Sequence, residues 1–381
     1  MGTRAPYSAS RAASSSLAAG TDELAAVEAR DMEIALTKAL GDLRGNRFPA
    51  QLLPLLRGFR ASLVAADYFK CHVLALSHDE LGVIFDGLAD PLEPGIAVAL
   101  SSTCIGLRTP LRAGLKVLKE RRARAAALCR KVYETYDPCS CAWLRDAYEL
   151  YRTDRGLTAD DMATLGMILR TNGLPRVREL YLDGNYFGDA GMQALCEGLG
   201  RGAAPSLRTL RLSGNKFGPA GAEALAAALG RGAMPKLEVL YLSDNPIGNQ
   251  GVAALAAPLR KLPALKKLIL VNCNIGDEGM ASLVANLGED DFKALTHLAL
   301  DTSAIGDEGV ASLVANLGKD KLKALWGLYL DDNNITDAGC ARLVTTINQG
   351  GLPALREMDL ADNEASEAAE DAVYEALAAR M

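Results

Sequence analysis

One short phrase returns seven times along this chain at a nearly constant spacing, and that period constrains the fold more than any single motif. The phrase is Leu-x-x-Leu-x-Leu-x-x-Asn or a close variant. Its second leucine position holds Leu180, Leu210, Leu240, Leu268, Leu298, Leu328 and Met358, with separations of 30, 30, 28, 30, 30 and 30 residues. A unit this short cannot bury an apolar face alone, so successive units must stack and share one core. The expected shape is a solenoid, which offers a long open face and few enclosed pockets.

Within Leu180-Tyr181-Leu182-Asp183-Gly184-Asn185 the leucines alternate with polar or aromatic residues, which is the period of a half-buried strand. Leu180 and Leu182 are expected to point inward, and Glu179, Tyr181 and Asp183 outward. Asn185 ends the strand, where a buried amide can satisfy backbone groups of adjoining turns. The equivalent residues are Asn215, Asn245, Cys273, Ser303, Asn333 and Asn363. Ser303 has the shortest reach and marks a local weakening.

Four residues further on stand Asp189, Pro219, Asn249, Asp277, Asp307, Asp337 and Glu367. Asp and Asn there read as N-caps of a following helix, and Pro219 as a first helical residue. Glycine follows two residues later at Gly191, Gly221, Gly251, Gly279, Gly309 and Gly339, where a small residue lets the helix approach the strand layer. Leu195, Leu225, Leu255, Leu283, Leu313 and Leu343 repeat at one helical phase.

Strand, turn and helix in about 30 residues build a curved parallel sheet inside and helices outside. This α/β pattern resembles the leucine-rich repeat family, and in its long helix-bearing units the ribonuclease-inhibitor-like class. The resemblance covers residues 150–363. Ile275-Gly276-Asp277-Glu278-Gly279 and Ile305-Gly306-Asp307-Glu308-Gly309 are identical and, after one differing residue (Met280, Val310), continue into the same eight residues, a mark of unit duplication. Residues 177–363 hold the seven repeats, and 143–176 read as a degenerate capping repeat with Arg152 and Arg155 at the leucine and Asn positions. Residues 364–381 read as a closing helix with Val373, Ala376 and Leu377 on one face.

A net charge of −6 argues against a general nucleic-acid binder. No run of eighteen apolar residues occurs, so no membrane span is expected. Residues 1–20 lack the apolar core of a secretory signal and read as a disordered tail. The eight cysteines form no C-x-x-C pair and only three histidines accompany them, so no metal site or other cofactor is expected. An intracellular chain, cytoplasmic or nuclear, is the expectation.

Residues 21–142 read as a helical N-terminal domain. Leu76, Asp79, Leu81, Ile84, Phe85, Leu88, Pro91, Leu100 and Cys104 resemble the F-box, spanning residues 76–107. That resemblance implies docking to a Skp-type adaptor of a cullin ubiquitin ligase through Leu76, Leu81, Ile84, Phe85 and Leu88. Ser77, Glu80 and Leu107 depart from the family's usual proline, apolar residue and tryptophan. An amphipathic helix packed as a structural cap accounts for the same residues, and both readings stay open. Lys116 to Lys131 carries seven basic residues and one acid, which reads as a solvated helix face with a nuclear-localisation or phosphate-binding patch as the alternative.

The central outward strand position reads Tyr181, Arg211, Tyr241, Ile269, Ala299, Tyr329 and Asp359, flanked by Glu179, Thr209, Val239, Lys267, His297, Gly327 and Glu357. Tyr, Trp and Arg dominate binding hot spots. Tyr181, Arg211 and Tyr241 therefore form one candidate cluster for a protein ligand. Lys267 and His297 lie between it and a second cluster of Trp326, Tyr329 and Asp331. No P-loop, nucleophile elbow or dinucleotide fingerprint appears, so a non-enzymatic binding protein is expected. The repeats also resemble those of Ran GTPase-activating proteins, which leaves regulation of a small GTPase as the alternative.

Overall fold

The computed structural model describes residues 85, 89, 90, 98, 111–132, 143–288, 290–316 and 321–380. The tail at 1–20 and the segments 22–43 and 51–66 lie outside the described residues, as do Leu76, Leu81, Ile84 and Leu88. The chain divides into two units, Met1–Arg122 and Ala123–Met381. In the first, Phe85 is 2% exposed, and a Cβ built on Gly114 would stand 2.7 Å from its ring. That ring is therefore packed within its own unit against a glycine.

Helix α1 (Arg112–Val132) carries the basic run. Leu118, Ala125 and Leu128 are buried at helical spacing, whereas Lys116, Lys119, Arg122, Arg124, Arg130 and Lys131 are exposed. In the second unit, Leu128 and Cys129 line a void of about 20 Å³ with Leu144, Leu150, Leu157 and Leu180. The end of α1 thus closes the apolar core at the first coil, and Lys131 pairs with Asp161 at 2.6 Å. A single-turn helix α2 (Trp143–Asp146) precedes the sheet.

Eight three-residue strands alternate with helices, as the period demands. They are β1 (Glu149–Tyr151), α3 (Ala159–Asn172), β2 (Glu179–Tyr181), α4 (Gly188–Gly198), β3 (Thr209–Arg211), α5 (Pro219–Gly230), β4 (Val239–Tyr241) and α6 (Gly248–Arg260). The second half adds β5 (Lys267–Ile269), α7 (Asp277–Val284), β6 (His297–Ala299), α8 (Asp307–Asn316), β7 (Gly327–Tyr329), α9 (Asp337–Asn348), β8 (Glu357–Asp359) and α10 (Glu367–Ala378). All strands pair in parallel in chain order. The register places Leu150, Leu180, Leu210, Leu240, Leu268, Leu298, Leu328 and Met358 in one row. That row is buried, as are Leu182, Leu212, Leu242, Leu270, Leu300, Leu330 and Leu360, so alternation along each strand sends every leucine to the core. The fold is the expected α/β solenoid, with a first strand supplied by the degenerate coil. No helix among the described residues is long and apolar enough to cross a membrane.

The asparagine row stitches coils together. Asn245 is fully buried and its amide nitrogen donates to Leu212 O at 2.9 Å, Leu242 O at 2.8 Å and Ser243 O at 3.0 Å. Its Oδ1 accepts from Asn215 N at 2.9 Å, one coil earlier. At Ser303 one bond replaces this set, from Oγ to Asp301 O at 3.4 Å.

The expectation that Asp189 and its equivalents cap their own helices is corrected by the structure. Asp189 lies inside α4, and its Oδ1 accepts from Gly218 N and Gly221 N, both at 2.7 Å, at the start of α5 in the next coil. Asp277 does the same for Gly306 N and Gly309 N. Asn249 serves Gly276, Asp307 serves Thr336, and Asp337 serves Ser366. A carboxylate in the first turn of one helix points sideways, so the neighbouring coil's unpaired amides are the ones it reaches. Helix α3 has no such neighbour before it and closes its own capping box between Thr158 and Asp161. Helices α4 and α6 follow coils with Ala159 and Pro219 at the acid position. They open on Gly188 and Gly248 at φ 63° and 64°, whose N–H groups bond Asn215 O and Cys273 O.

The row of glycines makes room for the buried side chain four residues earlier in its own coil, from Phe187 to Ile335, and at Gly221, Gly279, Gly309 and Gly339 also for this lateral Asp or Asn. A Cβ on Gly309 would sit 2.6 Å from Asp277 Oδ1 and 2.7 Å from Ile305 Cγ2. Arginines serve the opposite helix ends, with Arg260 donating to Ala285 O and Ser282 O, and Arg380 to Gly351 O.

Candidate protein-binding face

The outward side chains of parallel strands in register form rows across the sheet, because neighbouring strands are about 4.8 Å apart. In the central row Arg211 stands between two rings, its guanidinium carbon 5.3 Å from the Tyr181 centroid and 4.6 Å from that of Tyr241. Its Nε pairs with Asp183 at 2.9 Å. The Tyr181 hydroxyl donates to Glu179 at 2.7 Å. Burial first, and then this carboxylate, hold the Tyr181 hydroxyl well above the usual tyrosine range. Tyr181, Arg211 and Tyr241 are therefore brought together as one braced ladder, half-buried and open to a ligand.

Residues 175–196, 203–226, 233–256 and 261–284 match the family model for the leucine rich repeat. The solenoid is a leucine-rich repeat domain. Comparison with curated proteins gives no match. The matched units carry β2 to β5 and the Tyr181–Arg211–Tyr241 ladder.

The ladder of this leucine-rich repeat domain is one ring longer than the sequence reading had it. Tyr151, on the strand of the degenerate coil, is 49% exposed and its ring lies 4.3 Å from that of Tyr181. Its hydroxyl also donates to Glu179, at 3.2 Å. The signal was present, since Tyr151 precedes Tyr181 by one period of 30 residues. Tyr148 and Tyr186 extend the exposed aromatic surface, with Arg178 and Lys216 over their rings at 5.5 and 4.4 Å.

His297, Trp326 and Tyr329 form a second group. The His297 ring is 5.5 Å from Trp326 and stacks on Tyr329 at 6.5 Å. Gly327 makes room for this, because a Cβ there would lie 2.9 Å from the Tyr329 hydroxyl and 3.2 Å from the His297 ring. Burial, followed by the Lys267 ammonium, lowers the His297 pKa below its ordinary value, so the imidazole is neutral at physiological pH. Burial and the Glu357 carboxylate push the Tyr329 hydroxyl up to about 12. Lys267 is half-buried in the row between the two groups and touches the second through its charge on His297. Asp331 lies on the seventh coil beside Asp301, and their contact escaped the sequence reading because Asp301 belongs to the coil before.

Chemically, the face presents aromatic surface, one ion-paired guanidinium and carboxylates. Among the described residues no group of three or more His, Cys, Asp or Glu side chains could hold a metal ion. A separate cleft of about 310 Å³ is lined by Arg170, Gly173, Glu197, Gly200, Arg201 and Ala203 at helix ends. It is remote from the strand rows and contains none of the residues expected from sequence. Of the five residues that the F-box resemblance would assign to an adaptor, Phe85 is buried as described above and the other four lie outside the described residues.

Proposed function

We propose that this chain is a protein-binding scaffold that takes its partner on the sheet face of the leucine-rich repeat domain. The observation that carries the reading is Arg211 held between Tyr181 and Tyr241 and braced by Asp183. An arginine and three tyrosines fixed by one another lose little conformational entropy when a partner arrives, which is the condition for a hot spot. The 30-residue period with a helix in each coil supports placing the repeats in the ribonuclease-inhibitor-like class. Nothing among the described residues favours a Skp-type adaptor or a small GTPase over another protein, so the proposal stays with the face.

A photo-crosslinking amino acid placed at Thr209 on the face and at Glu223 on helix α5 tests this. Adducts should form from Thr209 and disappear when Tyr181→Ala and Arg211→Ala are combined. Equal adducts from Glu223, or adducts that survive the double substitution, would refute the proposal.

A further inference from the structure

At the sixth and seventh coils two carboxylates occupy the same register position. Asp301 and Asp331 each follow the last buried leucine of their strand, and Leu298 pairs with Leu328 in the sheet. Asp301 is only 9% exposed. Its Oδ1 is buried, and no donor among the described residues reaches it. The coil before offers uncharged Val271 at that position. The coil after offers Asp331, and Tyr329 beside it interacts with Asp301, Glu357 and Asp359. His297 stands on the same strand as Asp301, and Lys267 on the strand before it faces His297.

Two acceptors side by side in a desolvated place require a cation between them, whether a proton or something larger. In the free chain a proton meets this need, since burial first and Asp331 second raise the Asp301 carboxyl to about 7. What distinguishes this pair from Asp183 is the missing counter-charge, because Asp183 Oδ2 stands 2.9 Å from Arg211 Nε as an ion pair, although without hydrogen-bond alignment. The second coil therefore shows, within the same fold, what such a carboxylate takes when a guanidinium is in reach. Beside the pair stands the ring of Tyr329, which interacts with Asp301 and can receive a cation on its face. A planar guanidinium can bridge two carboxylates with paired N–H donors, which an ammonium cannot match.

We propose that the Asp301–Asp331 pair, beside Tyr329, receives an arginine side chain of the protein that docks on the sheet face. The inference rests on the scaffold reading above and names the chemistry of one contact within it. Proton release makes the contact pH-dependent. With the Asp301 carboxyl raised to about 7, linkage makes arginine binding about tenfold tighter at pH 8 than at pH 6.

The test uses the full chain, the peptide acetyl-Gly-Arg-Gly-amide, and the same peptide with uncharged citrulline in place of arginine. Binding is followed through the Tyr329 ring resonance at both pH values. The arginine peptide should shift that resonance with the tenfold pH dependence, and the citrulline peptide should not. Asp301→Asn should weaken binding and flatten its pH dependence, whereas Glu223→Gln on helix α5 should leave both unchanged. Equal binding of the two peptides, no shift with either, or an unchanged pH profile in Asp301→Asn overturns the proposal. The scaffold reading fails separately: adducts from Thr209 that depend on Tyr181 and Arg211 would uphold it even if Asp301 proved irrelevant.

Discussion

The cross-coil carboxylates imply that removing one side chain should unfasten the helix of the following coil. Asp277 is the sharpest case. Its Oδ1 accepts from Gly306 N at 2.7 Å and Gly309 N at 2.8 Å, the first of these half-buried and the second buried. In Asp277→Ala both amides lose their acceptor. Loss of a helix cap costs about 1 kcal/mol, and a buried donor left unpaired about 1–3 kcal/mol. Water can reach Gly306 and recover part of the first cost, so about 2 kcal/mol is the expected loss. Asp277→Asn keeps an acceptor at the same place, as Asn249 does naturally for Gly276 at 2.8 Å, and should cost less than about 1 kcal/mol. Urea unfolding gives the totals through the midpoint and slope. Amide exchange gives the place, with Gly306 and Gly309 the first to lose protection, although the substituted residue is 29 and 32 positions away. Faster exchange confined to residues 277–284, with Gly306 and Gly309 unchanged, would refute the cross-coil assignment.

Three further outcomes follow from the same structure. Asn245→Ala should destabilise by about 3 kcal/mol or more in urea unfolding, because three carbonyls and Asn215 N lose a buried partner together. On acidification, Asp307 matters: burial opposes its ionisation, but hydrogen bonds from Thr336 and the Gly339 N–H outweigh it and lower the pKa. A depressed carboxylate contributes stability that is present above its unfolded value of about 4 and lost as pH falls through the folded one. Thermal midpoints should therefore drop below about pH 4, and drop less in Asp307→Asn. Cys196 and Cys273, fully packed and pushed by burial up to about 12, should resist alkylation in the native chain and react only as the coils open, read peptide by peptide in a mass spectrometer.

What the sequence displayed and what it hid differ in reach. The leucine row, the asparagine row and the glycine row were legible because each is a repeated local choice, and a period of 30 residues turns local choices into a stacked sheet. Asp189 and Asp277 were misassigned for the same reason. A residue at a helix start is an N-cap by local rules, and nothing in one unit says that the unpaired amides within reach belong to the next. Tyr181, Arg211 and Tyr241 were grouped correctly from their shared row. Tyr151 was left out because its coil departs from the consensus at Arg152 and Arg155. Arg152 is nonetheless 8% exposed and faces the core, while the missing asparagine is covered by Asn185, whose Oδ1 accepts from Arg155 N and Leu157 N.

Two ladders of opposite polarity now join neighbouring coils, and where one is weak the array should open. The acid ladder runs forward, since the acceptor sits in one coil and the donors in the next. The asparagine ladder runs the other way through its Oδ1, as Asn215 N donating to Asn245 shows. Most boundaries carry both or a full asparagine set. At β5 and β6 the second ladder is reduced to the Cys273 thiol, which donates to Leu242 O at 3.3 Å, and to the single 3.4 Å bond of Ser303. An isolated backbone bridge from Gly276 to Ala304 stands in for it, but it bonds turns at the surface and does not give Leu270 O the cross-coil amide that Leu300 O receives from Asn333. A one-dimensional array opens first at its weakest interface. Amides in β5 and β6 should therefore exchange before those in β2 and β3, where both ladders are complete. Ser303→Asn should reverse the order and add about 1 kcal/mol, by supplying the amide that Asn333 provides one coil later with bonds of 3.0 to 3.1 Å. If β2 and β3 open first in the parent chain, the two-ladder account is wrong, because it leaves no other reason for a boundary with both ladders intact to yield.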